Sequence, residues 1–107
     1  MSLRLAIQKA EKGLAWLRES GSIYGLNVDE VNLWDLDLSS TCGCVLGQLG
    51  GHYNTAVDML IRVGVIPPGY DATNTWLTEH GFEQSIVAQY HELNRAWTQI
   101  LEADRAQ

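Results

Sequence analysis

Cysteine is scarce in this chain of 107 residues, with only Cys42 and Cys44 present. Two thiols one residue apart do not make the disulfide framework of a small secreted domain, so a reduced, cytoplasmic protein is expected. Long apolar runs are missing as well. No stretch approaches the roughly 18 apolar residues of a membrane-crossing helix. Near the start, Arg4 and Lys9 stand among scattered apolar residues, with no continuous apolar segment of a secretory signal. Positive charge is short: seven Lys and Arg stand against 13 Asp and Glu, a net charge of −6 and a pI near 4.8. Nucleic acids and membrane surfaces are polyanionic, so neither is expected as a partner of so acidic a chain. The deficit is concentrated in the middle. No Lys or Arg lies between Arg18 and Arg62, while Glu19, Asp29, Glu30, Asp35, Asp37 and Asp58 all do. That acidic centre reads as a solvated face or as a docking surface for a basic partner.

Catalytic signatures are missing too. There is no Ser-His-Asp spacing, no Gly-x-Ser-x-Gly and no Gly-Lys-Ser/Thr phosphate loop. Gly47-Gln48-Leu49-Gly50-Gly51 has no strand or basic residue to frame it as a phosphate site. No catalytic residue and no cofactor are expected.

What the sequence does contain is helical periodicity. A chain of this length fits one domain, residues 1–107, with a single modest core. Leu3, Ile7, Ala10, Leu14 and Leu17 fall on one stripe of a first helix, which Gly13 weakens and Ser20-Gly21-Ser22 ends. Ile86, Tyr90, Leu93, Trp97 and Ile100 repeat that spacing in a last helix, with Leu101 broadening it. The two seams are matched to pair with one another, or with their copies in a homodimer. Between them, a helix is predicted over about 41–49, started by Ser39-Ser40-Thr41, and another from near His52 with Tyr53, Ala56, Val57, Leu60 and Ile61 on its apolar face. Pro67-Pro68-Gly69 is a stop, after which Asp71 caps a short helix ending at Gly81. In residues 31–38 apolar and polar positions alternate with a phase slip at Trp34, predicting a short extended segment bent there. The fold class is mainly α, with four or five helices and that one extended segment.

The stretch Cys42-Gly43-Cys44-Val45-Leu46-Gly47-Gln48-Leu49-Gly50-Gly51-His52 is the densest in chemistry. A structural metal site generally needs four ligands, and Cys-x-Cys with one histidine eight residues on supplies too few, so no metal is expected. At about 100° per residue, two helical cysteines one residue apart point about 200° away from each other. A nucleophilic Cys44 with His52 as base is the enzymatic alternative, as a small cysteine-dependent enzyme or thiol sensor. In a continuous helix the two lie about 12 Å apart along the axis. The packing alternative puts Cys42, Val45, Leu46 and Leu49 on a core face, and Gly43, Gly47 and Gly51, beside Cys44 and Gln48, on a face open to close backbone approach. His80, at a helix C-terminus, suits the dipole as a partial cation, and His91 is expected in solvent. Trp16, Trp34, Trp76 and Trp97 are expected to fill a core rich in large side chains; the alternative is that one or two anchor an interface.

Leu36-Asp37-Leu38, then Cys44-Val45-Leu46-Gly47-Gln48-Leu49-x-Gly51-x-Tyr53, then His80-Gly81-Phe82 resemble a group of small proteins of mycobacteriophages and other actinobacterial phages and their hosts. The resemblance spans about residues 31–100 and leaves out the first helix. It carries over no catalytic residues. It puts Cys44 and Gln48, rather than Cys42, in the shared motif, and it implies an accessory protein acting in the cytoplasm of an actinobacterial host. The expected function is a non-enzymatic module that binds a host protein or a second copy of itself. Its candidate interaction and packing residues are Cys44, Gly47, Gln48, Gly51, Trp34, Asp35 and Asp37.

Overall fold

Ser2 starts the first helix by accepting the Leu5 N–H on its hydroxyl at 3.1 Å, and α1 then runs Leu3–Ser20. A computed structural model describes residues 1–84 and 87–107. Among these the chain forms five α-helices and no strand: α1, α2 (Val45–Gly50), α3 (Tyr53–Arg62), α4 (Tyr70–Glu79) and α5 (Val87–Arg105). The mainly α fold expected from periodicity is the one formed. Residues 31–38 are irregular, with a turn over 33–35 where the alternation slips. No strand forms here among the described residues, since no second strand lies beside this segment; side chains satisfy much of its backbone instead.

The two terminal seams pack on one another within the chain. Gly13 meets Trp97, and Arg18 pairs with Asp104, so α1 and α5 lie side by side in the same direction. The centre of the α1 seam is Ala6, Ala10, Gly13 and Leu17, with Leu3, Ile7 and Leu14 only partly buried beside it. Small residues occupy the line of closest approach, and the larger ones predicted for the centre flank it. On α5 the buried positions are Leu93, Ala96, Trp97 and Leu101; Ile86, placed on this seam by its spacing, lies outside the described residues.

Gly13 is therefore the seat of an indole rather than a helix defect. A Cβ there would run into the His80 carbonyl oxygen and lie 2.8 Å from the Trp97 ring. The Trp97 Nε1–H donates to the Gly81 carbonyl at 2.8 Å. Gly81, at φ +70, brings its backbone against α1, where a Cβ would sit 3.1 Å from the Ala10 nitrogen. Around this junction run edge-on and stacked rings: Trp16 against Trp76, Trp76 on His80, and Phe82 on Trp97.

Three local expectations change. α1 ends at Ser20 with Gly21 as its cap, as expected, but Gly21 stays right-handed and leads into a 3₁₀ turn, Gly21–Tyr24, instead of making a left-handed stop. Asp71 lies in the first turn of α4, which Gly69 caps. His80 is buried and stacked 3.9 Å from the Trp76 ring, and burial holds its pKa below the ordinary 6.5. It is a neutral core ring, its Nδ1 set 2.7 Å from the Trp76 carbonyl, rather than a cation at the helix end.

Two outcomes follow from this junction. Gly13→Ala gains about 1 kcal/mol of helix propensity but forces Trp97 and the 80–81 backbone outward, at a cost of about 1–3 kcal/mol. Urea unfolding should show net destabilisation; a more stable variant would mean that the indole seat is loose. For His80 the unfolded imidazole takes up its proton first as pH falls. Stability is then full above the unfolded value of 6.5 and declines as pH drops through the window down to the depressed folded pKa. In His80→Phe the part of the thermal-melt pH dependence below the ordinary 6.5 that this ring causes should disappear.

Candidate functional site

Cys44, not the Ser39-Ser40-Thr41 cluster, is the cap of α2. Its Sγ accepts the Gly47 N–H at 3.2 Å. Ser40 Oγ instead accepts the Gly43 N–H at 3.0 Å, holding the turn that leads up to the helix. The helix thus begins at Val45, four residues later than expected, and this reverses the two thiols: Cys42 is exposed and Cys44 is buried with Val45 and Leu46. Burial pushes the Cys44 thiol pKa up. His52 caps α3, its Nδ1 accepting the Asn54 N–H at 3.1 Å. A buried, protonated thiol and a histidine nitrogen already engaged by backbone are the opposite of an activated nucleophile.

The glycines do not form one stripe. Gly43 and Gly51 lie outside α2, and Gly51 is an exposed turn residue at φ +86 that nothing approaches, so it is not a packing position. Gly47 is one: a Cβ would strike the Thr41 carbonyl oxygen and lie 3.0 Å from the Cys44 Sγ. The backbone that packs on the motif is this chain's own, and the same Thr41 carbonyl accepts the Tyr53 N–H at 2.7 Å.

Gln48 uses both ends of its amide on the preceding loop. Its Oε1 accepts the Asn32 N–H at 2.7 Å, and its Nε2 donates to the carbonyls of Asn32 (3.1 Å) and Gly43 (3.0 Å). Asn32 Oδ1 in turn accepts the Trp34 N–H at 2.9 Å. Asp37 Oδ1 takes the Ser39 N–H and hydroxyl, bonds that hold its carboxyl pKa below the usual range. Asp37 is therefore a turn residue more than a free charge. Farther along, Leu38 donates to Asn94 Oδ1 at 2.7 Å, Gln84 Nε2 donates to the Leu38 and Ser40 carbonyls, and Arg105 reaches the Val31 carbonyl at 2.6 Å.

This fixed loop presents Trp34 almost wholly to solvent, 96 % exposed, with Asp35 exposed beside it. Trp34, Leu33, Thr98 and Glu102 line an open groove of about 350 Å³. Of the residues singled out in the sequence, the structure places Cys44, Gly47 and Gln48 underneath as support and Trp34 with Asp35 on the outside.

A second concavity escaped the sequence reading. Tyr53 of α3 and Tyr70, Asn74 and Thr78 of α4 wall a cleft of about 470 Å³ that Leu77 and Glu83 also line. Glu83 is 5 % exposed; its Oε1 meets the Lys9 ammonium at 2.5 Å, while Oε2 has no donor among the described residues. Burial, with the negative field of nearby groups, pushes the Tyr53 hydroxyl pKa up. The one sequence signal was a Glu-Gln pair directly after Gly81-Phe82, where a carboxylate follows a core ring.

Among the described residues no three His, Cys, Asp or Glu side chains are grouped to hold a metal ion. Among the described residues no helix is long and apolar enough to cross a membrane. Comparison with family models, curated proteins and solved structures gives no match. Iodoacetamide near neutral pH should alkylate Cys42 and leave Cys44 untouched until the chain unfolds, as intact-mass and peptide mass spectrometry would report. Rapid labelling of Cys44 in the folded protein would revive the thiol chemistry.

Proposed function

We propose that the chain is a non-enzymatic interaction module that docks on a host protein through Trp34. The observation that carries this reading is a tryptophan 96 % exposed on a loop whose backbone is clasped by Gln48. Exposing an indole forfeits a large hydrophobic gain, since a buried Trp removes about 150–250 Å² from water. Holding it on a fixed loop lowers the ordering cost of burying it against a partner. Indole side chains in central, desolvated pockets are typical energetic anchors of interfaces.

The surroundings define the partner. Asp35 and Glu30 are exposed on the same segment, Glu102 lines the groove beside Trp34, and no Lys or Arg lies between Arg18 and Arg62. The complementary surface is an apolar pocket rimmed by Lys or Arg. The resemblance to actinobacterial phage proteins supports a host protein as the bearer of that surface and the host cytoplasm as the place. Trp34 is also the natural anchor for a homodimer, which is the competing outcome.

Affinity capture from an actinobacterial lysate, followed by reconstitution with the purified partner, tests this. Trp34→Ala should weaken binding by about 2 kcal/mol or more, roughly thirtyfold, with the melting temperature unchanged. Gln48→Ala should weaken it less, by loosening the loop, and added salt should weaken the wild-type complex. Equal binding by Trp34→Ala, or light scattering that shows only a Trp34-dependent dimer, would overturn the host-protein reading.

A further inference from the structure

The cleft between α3 and α4 lies apart from the Trp34 groove and shares no lining residue with it. Three features distinguish it from an ordinary surface dip. Its volume, about 470 Å³, is within the range of small-ligand sites. Tyr70, Asn74 and Thr78 recur every four residues, so one face of α4 carries an aromatic ring and two hydrogen-bonding groups along two turns. Glu83, nine-tenths buried and more, is one of its lining residues, and its Oε2, itself closed off from solvent, has no donor among the described residues.

That last feature is the informative one. A buried acceptor left without a donor is costly, and such groups are rare in folded proteins. Lys9 accounts for one oxygen of Glu83 and for its place on α1, but a pair needed only to join α1 to this segment would leave no acceptor over. The missing element is an N–H or O–H donor. Aromatic surface from Tyr53 and Tyr70 next to a carboxylate is the chemistry that selects a nitrogen cation, through ring and ion contacts together. The net charge of −6 concentrates such cations near the surface.

We propose that this cleft binds an alkylammonium or guanidinium group, whose N–H donors complete the Glu83 carboxylate while its alkyl stem lies against Tyr53 and Tyr70. The group is carried either by a free small amine or by a Lys or Arg side chain of a protein.

Amide NMR titration of the intact chain with n-butylammonium, n-butylguanidinium and, as a neutral control, n-butanol tests the proposal. The cations should give saturable shifts at Tyr53, Asn74, Thr78 and Gln84, and butanol none. Tyr70→Ala, a change at a side chain 84 % exposed that leaves the fold intact, should weaken cation binding several-fold. Glu83→Gln should weaken it about tenfold or more if folded, which its spectrum will show. Repeating the titration with Ac-Gly-Lys-Gly-amide and Ac-Gly-Arg-Gly-amide separates the sources: tighter peptide binding marks a protein side chain, tighter binding of the free amines a small molecule. Equal shifts from butanol, no saturation by either cation, or undiminished binding by Tyr70→Ala and Glu83→Gln would overturn it.

Discussion

The seating of Trp97 on Gly13 is the contact on which the rest of this structure depends. It joins the first and last helices, and through its Nε1–H it also fixes the Gly81 carbonyl at the end of α4. Gly81 is pressed in turn against the Lys9–Ala10 backbone, so α1, α4 and α5 meet within one indole's reach. Two helices that run in the same direction at opposite ends of a chain need the whole intervening chain to cross back between them. That requirement explains why so much of residues 21–44 is turn rather than helix: the segment must travel, not stack. It also sets Glu83 and Gln84 just past the junction, where Lys9 of α1 and the carbonyls of Leu38 and Ser40 claim them.

A travelling segment of this length has an accounting problem, because buried backbone groups need partners and no strand or helix provides them. Here side chains do so from several directions: Gln48 of α2, Asn94 and Arg105 of α5, and Gln84. The result is a loop with the fixity of a regular element. This is the physical meaning of the Cys44…Gln48 motif, which first invites a redox or metal reading. Cys44 starts the short helix, Gly47 lets the Thr41 carbonyl close over it, and Gln48 extends from it to grip Asn32. The chemistry of the motif is hydrogen bonding, and its product is the posture of Trp34.

How much of this was legible in the sequence varies with how local the cause is. The spacing of Leu3, Ile7, Ala10, Leu14 and Leu17 and of Ile86, Tyr90, Leu93, Trp97 and Ile100 identified both long helices, because a 3.6-residue period is a local property. It put the centre of the α1 seam one position off, because only the neighbour's closeness makes Ala6 and Gly13 the buried line. Ser39-Ser40-Thr41 was read as a cap because such residues cap helices. The tertiary pull of Asp37 and Gly43 on each other, whose N–H and carbonyl lie 3.0 Å apart, uses those hydroxyls in a turn instead and leaves capping to a thiol. His80 was misassigned because a helix-end position suits a cation locally, whereas the fold stacks this ring on Trp76 and buries it. Glu83 had only its place directly after a core ring to mark it, as its partner Lys9 is 74 residues away.

The two solvent-facing sites differ in what the fold has already done for them. At Trp34 the backbone is satisfied, and what remains exposed is apolar area, so association there would be driven by burial and steered by Asp35 and Glu102. In the α3–α4 cleft the apolar area is modest, and what remains is a carboxylate oxygen without a donor, so selectivity there would rest on hydrogen bonding and charge. A surface of the first kind tolerates variation in its partner's shape. A site of the second kind discriminates sharply, because a ligand lacking the donor leaves the buried oxygen unsatisfied. Both sites rest on the α1–α5 junction: Glu83 through Lys9, and the Trp34 loop through Asn94 and Arg105 of α5. A change at Gly13 therefore reaches both, whereas a change at Trp34 or Tyr70, each lying in solvent, reaches only its own.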